Sequence, residues 1–331
     1  MRLRLIVSLA VVIAGANACK KKEAPAPAPA KAAAAEAPKA EAAPADVPAA
    51  ASPTSAPAAA TAADAEPKEA DLSKNAWNLP PRGTSAKDGD RCYVLMAGRD
   101  RTYADARKPY NLFAQDIGEV KGDAVTIKEL TGGTYKTTGL FVIAAGSQPG
   151  ELAVGDMVLA EWASELKHAV VTKVDGEKIT VRYTDLPDSW PEVQLVKVLS
   201  PREVTKQKEG LQPGNFAIGK GEQGRDELLL LIAESGDNWL VRKFSHLVAV
   251  AAKSDLRPIA LKPALKAGQL VEVPWVGQMY QGKVVKVAGT RVEVRAEGVA
   301  TKEPVVASLG QVAPVEPKAK ADDKAAAKPG K

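Results

Sequence analysis

The sequence predicts an all-β protein, four small barrels in tandem between two low-complexity segments. Three observations carry this. First, glycine-centred turns separate apolar runs: "VKGDAV" at Val120, "VDGEKI" at Val174, "ESGDNW" at Glu234 and "VAGTRV" at Val287. Glycine supplies the positive φ that tight hairpins need. Second, another glycine opens a strand-like run before each turn, in "DGDRCYV", "VGDMVLA", "PGNFAIG" and "AGQLVEV", and the two glycines stand 33, 21, 22 and 21 residues apart. Third, the strands after the turns alternate. Ile179, Val181 and Tyr183 face one way and Thr180 and Arg182 the other; Val292 and Val294 oppose Arg291, Glu293 and Arg295. A period of two with one polar face marks half-buried antiparallel strands.

The chain begins "MRLRLIVSLAVVIAGANAC". Two arginines, an apolar run too short to span a membrane and a small-residue end have the layout of an export signal over residues 1–18. Two readings fit "ANAC". Ala16-Asn17-Ala18 is an A-x-A cleavage site, giving a soluble secreted protein. Cys19 directly after it resembles the lipidated cysteine of bacterial lipoproteins, which implies a membrane-anchored protein facing the periplasm or cell exterior. By the same resemblance, Lys20 in place of a retention-marking Asp favours the outer membrane. Residues 19–74 are mostly Ala, Pro, Lys and Glu, with no aromatic residue. Such a segment buries too little surface to offset its ordering entropy and is expected to be a disordered tether, as is the Lys-rich tail 316–331.

Four units fill the interval: 75–147, 148–207, 208–262 and 263–315. The first is about twelve residues longer between its glycines, through "GRDRTYADARKPY". Cys92, in "RCYVLM", reads as a small buried core residue. The units close on "VKVLSP", "SDLRPI" and "LGQVAPV", where a short turn and a last strand would complete a barrel. Linkers such as "SQPGEL" and "LKPALK" are short, which favours a packed array over separate beads.

The phrase "GDMVLAEW…HAVVTKVDG…ITVRYTD" resembles the Tudor-like members of the SH3-like barrel superfamily. "GQLVEVPWVGQMYQGKVVKVAGTRVEV" resembles them at its Trp-loop-Tyr step. The likeness is good over units two and four, fair over three and weak over one. It implies an aromatic cage for a cationic or peptide ligand. Carried over by position, unit two offers Trp162, Tyr183 and Asp185, with Trp190 as a further wall; His168 stands where the family often has tyrosine. Unit four keeps Trp275 and Tyr280 but has Arg295 near the place of Tyr183. Unit three has Trp239 and Phe244 without a matching loop aromatic. The competing role for Trp162 is to plug a barrel end.

The formal charge of +5 is small for 331 residues, and its basic residues are interleaved with acids, so nothing points to nucleic acid. The two histidines lie in different units, and no nucleophile, metal or phosphate-loop motif is present. No cofactor, metal or catalytic residue is expected. The resulting expectation is a non-enzymatic binding or scaffolding module of the cell envelope, with a membrane contact through the N-terminal lipid and an envelope protein or peptide as partner. Peptidoglycan binding is one rival. An envelope enzyme or enzyme subunit is the other.

Overall fold

The computed structural model describes Leu72 and residues 74–315, except 130–131, 149 and 222–223. The expected signal segment, Cys19, nearly all of the tether and the tail lie outside the described residues. Unit one holds β1 (Arg91–Met96), β2 (Asn111–Lys121), β3 (Ala124–Lys128), β4 (Thr134–Thr138) and β5 (Val142–Ala144). In unit two are β6 (Met157–Trp162), β7 (Glu165–Asp175), β8 (Lys178–Tyr183), a one-turn helix α1 (Glu192–Leu195), β9 (Val196–Leu199) and β10 (Val204–Lys206). Unit three has β11 (Phe216–Lys220), β12 (Asp226–Ser235), β13 (Asn238–Arg242), β14 (Val248–Ala252) and β15 (Arg257–Pro258). Unit four has β16 (Leu270–Trp275), β17 (Gln278–Ala288), β18 (Arg291–Ala296), β19 (Val305–Ser308) and β20 (Ala313–Pro314).

Every unit uses the same order. The fifth strand pairs with the first, and the first four form an antiparallel meander. A single 3-10 turn precedes each fifth strand, at Gly139–Phe141, Pro201–Glu203, Lys253–Asp255 and Leu309–Gln311. A bulge interrupts each second strand, between Ile117 and Glu119, Val171 and Lys173, Leu231 and Ala233, and Val284 and Lys286. The extra residue bends the strand, which lets one long strand serve both halves of a small barrel. Both glycine sets are in the left-handed region. The turn glycines, Gly122, Gly176, Gly236 and Gly289, have φ of +57° to +60°, and the opening glycines, Gly89, Gly155, Gly214 and Gly268, have φ of +81° to +90°. Open space surrounds all four turn glycines, so backbone conformation alone demands the residue there.

The four barrels make two sheets of ten strands, and the second sheet repeats the first. β2 joins β7 at Phe113 and Glu165; β12 joins β17 at Glu227 and Gln278. Arg91 strengthens the first junction, reaching Glu161 at 2.8 Å from beside Asp116.

Each barrel has its own core, and a further core lies between barrels one, two and three. In β1, Cys92, Val94 and Met96 face into barrel one, while Tyr93 and Leu95 face the shared core. In β12, Leu229 and Leu231 fill barrel three, while Leu230 and Ile232 join Tyr93 and Leu95. The long insertion of unit one feeds the same place: the Tyr103 ring stacks on Phe141 at 3.8 Å, and Tyr110 is fully buried. Cys92 is buried as expected, and burial pushes its thiol up to about 12.

The β16–β17 hairpin carries one locally unfavourable residue. Val276 has φ +49° at the turn, with 68 % of its surface exposed. A β-branched side chain clashes with its own backbone in this conformation. Val276→Asn is expected to raise stability by about 1 kcal/mol, read as a higher urea midpoint at unchanged slope.

Candidate functional site

The structure redistributes the residues expected to form a cage. Trp162 ends β6 and Trp190 lies just before α1; their rings meet at 5.5 Å and 46°. Both pack, half-buried, against the barrel-two core, and the Trp162 indole N–H donates to the Gln194 carbonyl at 3.2 Å. Lys167 Nζ sits 6.0 Å from the Trp162 ring, so a cation of the chain itself occupies that face. Tyr183 is not a cage wall. It continues the inward row of Ile179 and Val181, is 1 % exposed, and its hydroxyl donates to the Glu161 carbonyl. Asp185 is not a free acid, because His168 takes it. Trp162 therefore caps the end of a barrel, and the four residues do not line one open cage.

Trp275 is 38 % exposed at the tip of β16, and Tyr280 is half-buried with its hydroxyl on Gln278 Oε1 at 3.2 Å. Trp239 is core, and Phe244 lies against Gly277 across the junction of barrels three and four.

His168 and Asp185 form a buried clasp. The Asp185 carboxylate accepts from His168 Nδ1 at 2.7 Å and from the His168 backbone N–H at 2.8 Å. Nε2 lies 2.8 Å from the Gly214 carbonyl, and the ring stacks on Phe216 at 4.5 Å. Both partners of the imidazole are acceptors, so both ring nitrogens must donate and the ring is charged. Burial opposes that charge, but the Asp185 carboxylate and the hydrogen bonds to Asp185 and Gly214 outweigh it and raise the His168 pKa. Burial likewise works against the carboxylate; His168 more than offsets this and lowers the Asp185 pKa. The clasp fastens barrel three to barrel two.

A cleft of about 310 Å3 opens where barrels one, two and three meet. Val142, Ile143, Leu159 and Ile232 contribute apolar lining; Arg82, Thr84, Ser85, Lys206, Lys208 and Gln212 contribute polar lining. Among the described residues, no Asp or Glu lines it. Arg82 donates to the Glu234 carbonyl, and Lys206 is held by Asp156 at 2.8 Å. The Lys208 ammonium has no ion-pair partner among the described residues. The segment bearing Arg82, Thr84 and Ser85 is pinned to barrel one: Arg82 N–H donates to Thr138 Oγ1 at 2.9 Å, and Gly139 N–H donates to the Arg82 carbonyl at 2.8 Å.

One wall of this cleft is a strand edge. β5 is the end strand of its sheet path and pairs only with β1. Ala145 N–H donates to the Arg91 carbonyl, which makes Ala144 and Cys92 a non-hydrogen-bonded pair. The N–H and C=O of Ala144 therefore point away from β1, and Ala144 lines the cleft. Sequence reasoning missed this site, because its residues come from three units and share no motif.

A larger cleft, about 610 Å3, lies between β8 of barrel two and β17–β18 of barrel four. Its charges are matched: Arg182 pairs with Glu192 at 2.5 Å and Arg291 with Asp188 at 3.4 Å. Among the described residues, no group of three His, Cys, Asp or Glu side chains is placed to hold a metal ion.

No protein-family model and no curated protein matches the sequence. Among solved structures, the chain is similar to the AGD34 segment of Arabidopsis thaliana AGDP1, with 15 % identity and a TM-score of 0.20, over 37 % of this chain and 83 % of that one. It is also similar to the four MBT repeats of Drosophila melanogaster Sfmbt, solved with a methyl-lysine peptide, at 9 % identity and a TM-score of 0.16, over 70 % and 88 % of the two chains. Likeness at these scores carries no inference about this chain, whose four barrels are assigned from its own strand order and register.

Proposed function

We propose that this protein is a non-enzymatic binding or scaffolding module, exported and held at a membrane of the cell envelope by acylation of Cys19. The observation that carries the binding role is the acid-free cleft between three packed barrels. Three groups with catalytic chemistry are already hydrogen-bonded or buried, which supports the same reading. His168 is locked by Asp185 and Gly214, His246 Nδ1 lies 2.5 Å from Asn111 Oδ1, and the Cys92 thiol is buried and protonated at neutral pH.

The anchor has a direct test. In bacteria producing the full chain, fatty-acid label is expected on the wild type and to be lost on Cys19→Ala. The variant should leave the membrane fraction, with about a tenfold drop in membrane-bound protein, since one or two acyl chains dominate such partitioning. Unchanged labelling and partition would remove the lipoprotein reading. Crosslinking in intact cells against sedimentation with purified cell wall separates a protein partner from peptidoglycan, and a hydrolase screen on the full chain checks the non-enzymatic assignment.

A further inference from the structure

We propose that the cleft between barrels one, two and three takes an extended acidic peptide segment of a protein partner. The segment is clipped to the free edge of β5 and sets a carboxylate against Lys208. This rests on the binding role proposed above and names the ligand class of that site.

Three features of the cleft converge on this occupant. The first is the edge. Ala144 presents one N–H and one C=O outward, the pair that an added strand exchanges. On either side of it the edge is already closed: Val142 N–H bonds the Gly139 carbonyl, and Gly146 N–H donates to Thr205 Oγ1 at 2.9 Å. A full added strand is thereby excluded, and a short segment held by one two-bond exchange is favoured.

The second feature is the charge of the lining. The backbone N–H groups of Gly83, Thr84 and Ser85 make no hydrogen bond to any described residue. The Lys208 ammonium has no ion-pair partner among the described residues, and among those residues the lining holds three basic side chains and no acid. The lining therefore carries positive charge without a matching acid, and a complementary ligand brings negative charge, to whose oxygens these N–H groups can also donate.

The third feature is the apolar lining. Val142, Ile143, Leu159 and Ile232 offer hydrophobic surface beside the edge, which a bare anion would leave unused. In an extended peptide, side chains alternate between faces, so apolar residues can flank an acidic one that turns toward the basic rim. A nucleic-acid backbone fits less well. Its affinity grows with the number of phosphates neutralised, and among the described residues this rim has one cation without an ion-pair partner.

The test is an amide NMR titration of the full chain with three acetylated, amidated pentapeptides of sequence Ala-Val-Xaa-Val-Ala, in which Xaa is Glu, Gln or Lys. The Glu peptide is expected to shift the amides of Gly83, Thr84, Ser85 and Ala144 saturably. The Gln peptide should bind about tenfold more weakly, and the Lys peptide should give no saturable shift. Lys208→Glu should reverse the order of the Glu and Lys peptides while unfolding at the wild-type midpoint. Ala144→Pro, which deletes the edge donor, should abolish binding; if it fails to fold, Lys208→Glu alone decides. Equal binding of the three peptides would overturn the proposal. So would shifts centred on Trp162 or Trp275, indifference to Lys208→Glu, or full displacement by inorganic phosphate at the peptide's own concentration. If the peptides fail while the full chain still crosslinks to envelope proteins, the cleft assignment falls and the binding role stands. If both fail, both fall.

Discussion

Asp185→Ala is expected to cost about 3–5 kcal/mol of stability, the range for removing one partner of a buried ion pair. The size follows from what the carboxylate holds. It accepts from both the His168 ring and the His168 backbone N–H, and the ring carries the bond from barrel two to Gly214 in barrel three. Without the carboxylate, a cationic ring sits 5 % exposed beside Phe216 with no counter-charge. The remaining charged groups do not replace it. Arg242 opposes the ring's charge, and Lys167 is also positive. His168 can shed its charge by losing the Nδ1 proton, which keeps the Nε2–H bond to Gly214 but leaves Nδ1 and the His168 backbone N–H buried without the partner they had. Urea unfolding of the wild type and of the Asp185→Ala variant reads the difference directly. A loss below about 1 kcal/mol would show that the junction does not depend on this pair.

The same pair sets a pH dependence whose sign follows from the two shifts. The His168 pKa is raised in the folded chain, so its contribution is complete below the unfolded value of about 6.5 and is lost as pH rises through the folded value. The Asp185 pKa is lowered, so its contribution is complete above the unfolded value of about 3.9 and is lost as pH falls through the folded value. The contribution of the clasp is therefore greatest between these limits. In Asp185→Ala the decline above neutrality should disappear.

Within a unit, the sequence was legible because each barrel is built from local rules. The turn glycines share one backbone conformation, and Ile179, Val181 and Tyr183 alternate inward as their spacing requires. That alternation also speaks against Tyr183 as a cage wall, since a residue in register with two core positions cannot face solvent. Between units the signal was present but of a different kind. "RCYVLM" and "ELLLLIA" do not alternate, and an unbroken apolar run marks a strand buried on both faces. β1 and β12 are those strands, and they carry the core shared by barrels one, two and three. The cleft was illegible because its composition arises only from packing. Arg82, Ala144, Lys208 and Ile232 are far apart in the chain and become neighbours because those two strands share a core.

Gly139→Ala is the sharpest probe of how that cleft is held. Gly139 is not among the glycines with positive φ, so an alanine there meets no conformational penalty of the left-handed kind. Its constraint is a backbone crossing. A Cβ would collide with the Gly83 carbonyl and come within 2.8 Å of the Arg82 carbonyl oxygen, neither of which can rotate aside. The Arg82–Ser85 segment must move away, breaking the Gly139 N–H bond to Arg82 and the paired bonds between Arg82 and Thr138. Overpacking of this kind plus the lost bonds should cost about 3 kcal/mol or more. Gly122→Ala is the control: it has φ +57° and open space around it, so only the left-handed penalty applies, about 1 kcal/mol. Gly139→Ala should also shift the amides of Gly83, Thr84 and Ser85 in the folded protein, whereas Gly122→Ala should leave Ser85 in place. Equal costs for the two variants would mean that the crossing yields easily and that the cleft wall is not fixed by Gly139.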